Sequence, residues 1–188
     1  MSEVVVRVLG ISGSLRKGSF NTALLRAAIA QSPPSLQIEV ASLADIPPYN
    51  EDVRAQGFPA PVEKLRDQIA ASDALLIVTP EYNYSVPGVL KNAIDWASRP
   101  PNQPFAGKPL AIMGASASIG GTMRAQYHLR QTAVYLDMHP LNKPEIFVKS
   151  AASAFDAGGN LTDETAKKLV SQQLEALVAW ARKLNARG

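Results

Sequence analysis

Five runs of apolar residues recur along the chain, and each is followed by a segment whose apolar positions return at helical spacing. The runs are Val4–Ile11, Gln37–Leu43, Ala74–Thr79, Pro109–Ala115 and Glu145–Lys149. Val, Ile and Leu dominate them with little alternation, the signature of strands buried on both faces. The helical segments are Asn21–Gln31, Pro61–Ala71, Val86–Ser98, Gly121–Leu136 and Thr162–Leu184. The last opens on Thr162 followed by Asp163 and Glu164, a hydroxyl and acidic start suited to a helix N-terminus. Leu169, Leu174, Leu177, Val178 and Trp180 supply its apolar stripe.

Strand and helix alternating five times predict an α/β fold with a parallel sheet covered on both faces and right-handed crossovers. In one domain spanning residues 1–188, this gives a flavodoxin-like, three-layer, doubly wound sheet of five strands in the order 2-1-3-4-5. Ligands of such folds bind outside the carboxyl ends of the strands, where the winding reverses. The loops after strands 1 and 3 are therefore the place to look for chemistry.

Both loops are chemically unusual. After strand 1 comes 12-SGSLRKGSFNT-22, rich in small and hydroxyl residues and leading into a helix. Backbone N–H groups at a helix N-terminus attract anions, and Arg16 adds a planar fork matched to phosphate oxygens. Ser14, Ser19, Asn21 and Thr22 are candidate donors to the phosphate, and Ser19 or Asn21 also suits the helix cap. The stretch is neither G-x-x-x-x-G-K-[ST] nor G-x-G-x-x-G, so it fits one terminal phosphate better than a triphosphate or pyrophosphate. A capped helix after a glycine turn would account for the same residues.

After strand 3 comes 80-PEYNYSVPG-88, where Pro80 and Pro87 stiffen a loop carrying Glu81, Tyr82, Asn83 and Tyr84. A rigid loop of aromatic and hydrogen-bonding groups suits a flat heterocycle, so the two loops together describe a planar ring joined to one phosphate, which flavin mononucleotide (FMN) satisfies. Plain packing of the tyrosines before a Pro-initiated helix is the competing account. A third loop, 114-GASASIGGTM-123, follows strand 4; Ser116, Ala117 and Ser118 are candidates for the ring's edge, with Gly120 and Gly121 permitting close approach, and a flexible turn opening the next helix would account for the same residues.

Composition narrows the alternatives. The 188 residues carry 46% hydrophobic and 19% charged side chains, a net charge of +3 and no cysteine. Thiolate nucleophiles, thiolate metal sites and disulfides are excluded, and a reducing cytoplasm is the natural compartment. His128 and His139 have no acidic or His neighbours at metal-ligand spacing. The charges are scattered, so neither nucleic acid nor membrane insertion is expected. A serine hydrolase would need G-x-S-x-G and a paired His, and neither is present in the loops.

The stretches 13-GSLRKGSFN-21, 80-PEYNYSVPG-88, 90-LKNAIDWASRP-100 and 140-PLNKPE-145 make the chain resemble the NADPH-dependent FMN reductase family, particularly its bacterial quinone and chromate reductases. The resemblance implies bound FMN, with Ser14, Arg16, Ser19, Phe20 and Asn21 around the phosphate and Glu81, Tyr82, Asn83 and Tyr84 along the isoalloxazine. Ser116 would lie near the ring's edge. It also implies NADPH or NADH as hydride donor and small acceptors such as quinones or chromate, with no catalytic side chain required. A homodimer or homotetramer is expected, with 94-IDWASR-99 and 124-RAQYHLRQ-131 as interface candidates. A flavodoxin-type electron carrier is the alternative function.

Overall fold

The computed structural model describes residues 4–185. Strands β1 (Val6–Ser12), β2 (Leu36–Ala41), β3 (Ala74–Val78) and β4 (Pro109–Ala115) are joined by helices α1 (Phe20–Ala30), α2 (Glu51–Arg54), α3 (Ala60–Ala71) and α4 (Gly88–Ala97). Helix α5 (Met123–Tyr135), strands β5 (His139–Pro140) and β6 (Ile146–Val148), and helices α6 (Ala151–Ala154) and α7 (Glu164–Asn185) complete the order. The strands are parallel and ordered β2-β1-β3-β4-β5, with β6 also pairing with β4. This is the doubly wound, flavodoxin-like arrangement expected from the alternation.

The fifth strand expected at Glu145–Lys149 forms as β6, and an unexpected two-residue strand, β5, precedes it. His139–Pro140 and Ile146–Val148 both lie on β4, and the residues between leave the ladder. Pro140 and Pro144 each remove a backbone donor, so no single continuous strand can form there. Strand β2 departs from burial on both faces: Gln37, Glu39 and Val40 are exposed because β2 is the outer strand. At the other end of the chain, Val4 is 82% exposed and β1 begins at Val6.

Every residue of β3 and β4 is buried, and alternate side chains feed two cores. Leu76, Val78, Ala111 and Met113 meet Leu24, Leu25, Val170, Leu174 and Leu177 on the face covered by α1 and α7. Leu75, Ile77, Leu110 and Ile112 meet Leu65, Ile69, Leu90, Ile94 and Leu129 on the face covered by α3, α4 and α5. Each such leucine contributes roughly 1.5–3 kcal/mol of apolar burial. This double cover fixes β1, β3 and β4 so that the loops leaving their carboxyl ends converge.

Gly114 makes part of that convergence possible. A Cβ there would collide with Thr122 Oγ1 and the Thr79 carbonyl, so only glycine lets the ends of β3 and β4 and the start of α5 meet.

Candidate functional site

The loop from β1 to α1 is built around Ser19. Its extended backbone (φ −70°, ψ 126°) places Oγ to accept from the N–H groups of Asn21 (3.2 Å) and Thr22 (3.4 Å), capping α1. Ser12 and Thr22 hydroxyls meet at 2.9 Å, and Ser14 Oγ accepts from the Arg16 N–H at 3.4 Å. Leu15, Arg16, Lys17 and Gly18 are exposed, and the first turn of α1 has no acidic residue. Among the described residues no carboxylate pairs with Arg16 or Lys17. The helix N-terminus thus offers positive potential that no carboxylate among the described residues neutralises. The Arg16 guanidinium lies 5.8 Å from the centroid of Phe20, whose ring packs at 5.4 Å on Phe155.

Asn21 is 3% exposed, and its side chain does not face the loop surface. Its Nδ2 donates to the Ala115 carbonyl and its Oδ1 accepts from the Ala115 N–H, both at 2.9 Å. The side chain expected to donate to a phosphate is instead a clamp between the start of α1 and the end of β4.

After β3, Tyr82 and Ser85 exchange both backbone hydrogen bonds, at 3.1 and 3.0 Å. Asn83 (φ 49°) and Tyr84 (φ 67°) between them are both left-handed, making a two-residue type I′ turn. Asn tolerates that conformation, whereas a tyrosine there is strained by about 1–2 kcal/mol. The aromatic rim is open to solvent, with Tyr82 51% and Tyr84 68% exposed.

Glu81 sits beneath this turn. Its side chain is 5% exposed and pairs with the Arg124 guanidinium. It also accepts from the backbone N–H groups of Arg124 (3.0 Å) and Ala125 (3.2 Å). The α5 N-terminus lacks a cap from Thr122, and Glu81 supplies one from another loop. Glu81 was expected along the ligand ring; its carboxylate is directed instead into the α5 N-terminus. Arg124 then lays its guanidinium 3.7 Å from the Tyr84 ring centroid, and Ser85 Oγ meets His128 Nδ1 at 3.0 Å.

Ser116 lies at the third corner, half-buried. Its N–H donates to Val148 O (3.0 Å), its carbonyl accepts from Ala151 N–H (3.1 Å), and its hydroxyl accepts from the Ser118 N–H (3.1 Å). Ala117, Ser118 and Ile119 carry the loop's exposed surface.

The structure therefore brings Ser14, Arg16, Ser19, Phe20, Tyr82, Asn83, Tyr84 and Ser116 to the carboxyl edge of β1, β3 and β4, with Asn21 and Glu81 as internal supports. Arg124 and Phe155 were missed. Arg124 carried a sequence signal: a cation in the first turn of a helix opposes the dipole and calls for a carboxylate partner. A Tyr127–Glu145 bond of 2.9 Å lies one turn along α5. Burial pushes the Glu145 carboxyl up, but hydrogen bonds from Lys143 and Tyr127 outweigh it and hold the group below its ordinary range.

The arrangement finds relatives along nearly the whole chain. The sequence model of the NADPH-dependent FMN reductases matches residues 6–153. An NAD(P)H-dependent FMN reductase of Pseudomonas aeruginosa is 64% identical over 179 residues, covering 95% of this chain and 97% of the relative. An NADPH:quinone oxidoreductase of Arabidopsis thaliana is 47% identical over 186 residues, with coverages of 96% and 94%. Among solved structures, the flavoenzyme NAD(P)H:acceptor oxidoreductase of Paracoccus denitrificans superposes with a TM-score of 0.87 at 38% identity, covering 95% of this chain and 98% of that one.

Proposed function

The chain belongs to the family of NADPH-dependent FMN reductases and is an oxidoreductase, and from that premise we propose that it holds FMN across the three loops and carries electrons from NAD(P)H to quinones and related planar acceptors. The observation that carries this reading is a juxtaposition. On the neighbouring strands β1 and β3, an acid-free helix N-terminus flanked by Arg16 and Lys17 stands beside a rigid aromatic turn. That donor set fits a phosphate at one end and a flat ring at the other. When bound, FMN supplies the hydride and electron chemistry.

The chain's own residues bind and orient. Ser14, Arg16 and the exposed backbone of Leu15–Gly18 hold the phosphate, with Ser19 fixing the helix start. Tyr82, Asn83 and Tyr84 wall the ring, and Ser116 borders its edge. The exposed tyrosines favour planar quinones over chromate, which has no aromatic face to stack. Donor and acceptor share one open shelf, so they occupy it in turn. Initial-rate plots at varied NADPH and quinone are expected to be parallel, and intersecting lines would contradict a shared shelf.

The assembly is proposed to be a homodimer or a dimer of dimers. Tyr127, Val134 and Tyr135 on α5 are large, exposed and on the sheet face that α4 and α5 cover.

A visible spectrum of the protein reconstituted with FMN, before and after anaerobic NADPH, tests the proposal. Prompt bleaching reversed by quinone is the expected result. A bound flavin that stays oxidised with both NADPH and NADH would point to an electron carrier. Protein that retains no flavin would reject the assignment of the loops.

A further inference from the structure

We propose that Arg124 is a positioning residue for the aromatic wall of the site, fixing the Tyr84 ring in the orientation that meets the acceptor; the proposal rests on the flavin reading above. Tyr84 occupies a left-handed backbone conformation that its side chain disfavours, so something outside the turn must hold it. The group in place to do so is the Arg124 guanidinium, 3.7 Å from the ring centroid. One edge of the same guanidinium is held by Glu81, whose side chain is 5% exposed. Arg124 therefore links a buried carboxylate to the exposed ring of a residue with a strained backbone.

Helix stability does not explain the arginine. Glu81 already accepts from the Arg124 and Ala125 N–H groups and satisfies the α5 N-terminus by itself. A cation there opposes the helix dipole. What the guanidinium adds is a plane: its edge binds the carboxylate while its face covers one side of Tyr84. Tyr84 remains 68% exposed, which leaves its opposite face open to a planar ligand. Lysine keeps the charge but has no plane, so it can pair with Glu81 without orienting the ring.

The test compares Arg124→Lys, Arg124→Ala and Tyr84→Ala, alone and combined. In the apoprotein, exchange of the Ser85 amide, which donates to Tyr82 O at 3.0 Å, is expected to quicken about tenfold in both Arg124 variants. In the protein saturated with FMN, quinone KM should rise about tenfold in both. Arg124→Lys in a Tyr84→Ala background should change KM no further, because the ring through which Arg124 acts is gone. A role confined to capping α5 would be additive with Tyr84→Ala, and that result would overturn the proposal. Unchanged Ser85 exchange and unchanged KM in Arg124→Lys would overturn it too. If Arg124→Ala does not fold, the lysine variant decides alone. A parent protein that binds no FMN would defeat the underlying reading, while the apoprotein exchange still judges the Arg124–Tyr84 link.

Discussion

Single residues here divide into those assigned to the proposed FMN site and those whose hydrogen bonds hold its loops in place. The grouping of Ser14, Arg16, Ser19, Tyr82 and Tyr84 is legible because they lie in two short loops that the strand order brings side by side. Asn21 and Glu81 read in the sequence as ligand contacts, and the internal bonds of their side chains are not legible there because the partners are remote: Ala115 lies 94 positions from Asn21, and Arg124 lies 43 from Glu81. No local pattern reveals such pairings. Asn21→Ala would leave the Ala115 N–H and C=O buried without partners, at roughly 1–3 kcal/mol each. A urea titration should show a loss of about 2–5 kcal/mol. Gly114→Ala should be more damaging, since its methyl group would strike the Thr79 backbone as well as Thr122; soluble, folded protein in normal yield would contradict the close approach.

At the level of elements, the central strands and long helices were legible because burial on two faces forces continuous apolar runs and one-sided burial forces a helical stripe. The failures fall where proline or an edge intervenes. The strand read at Glu145–Lys149 is β6, three residues long, with β5 before it as a separate piece. The helix read from Thr162 begins at Glu164. Asp163 Oδ1 accepts from the Ala166 N–H at 2.7 Å, whereas Thr162 Oγ1 donates back to the Ala154 carbonyl at 3.2 Å. Asp163→Ala should therefore cost about 1 kcal/mol by denaturation and Thr162→Ala clearly less. Equal losses would restore Thr162 as the cap. The β5–β6 connection also predicts a pH dependence through Glu145. Its folded-state titration lies below the ordinary 4.5, so it adds stability above that value and loses it as the pH falls through the folded titration. The stability gap between the parent and Glu145→Gln should narrow as acid is added below about pH 4.5; a gap constant with pH would remove the ion pair with Lys143 and the Tyr127 bond from the balance.

The whole molecule places its two faces in different situations. One core is roofed by α1 and α7, and α7 is long enough, at 22 residues, to cover it from end to end. The other is roofed by α3, α4 and α5, and the C-terminal end of α5 leaves two large apolar side chains outside: Val134 is 78% and Tyr135 84% exposed. The cleft between α4 and α5 runs beside Tyr135 and carries Lys91, Asp95 and Arg99 on its α4 side, so the apolar surface is confined to α5. Single exposed apolar residues are ordinary on a monomer, but Val134 and Tyr135 stand side by side at the C-terminal end of α5, and there a second copy would bury the most apolar surface. The sequence pointed at these helices only through a resemblance, because an exposed and an interfacial apolar residue look alike in a periodicity. Val134→Glu combined with Tyr135→Glu changes no residue of the two cores or the three loops, so circular dichroism and thermal unfolding should stay close to the parent. Light scattering during gel filtration should then find a monomer where the parent is a dimer or tetramer. A parent that is monomeric at tens of micromolar, or a double variant with undiminished mass, would mean that α5 faces solvent and that the shelf is complete within one chain.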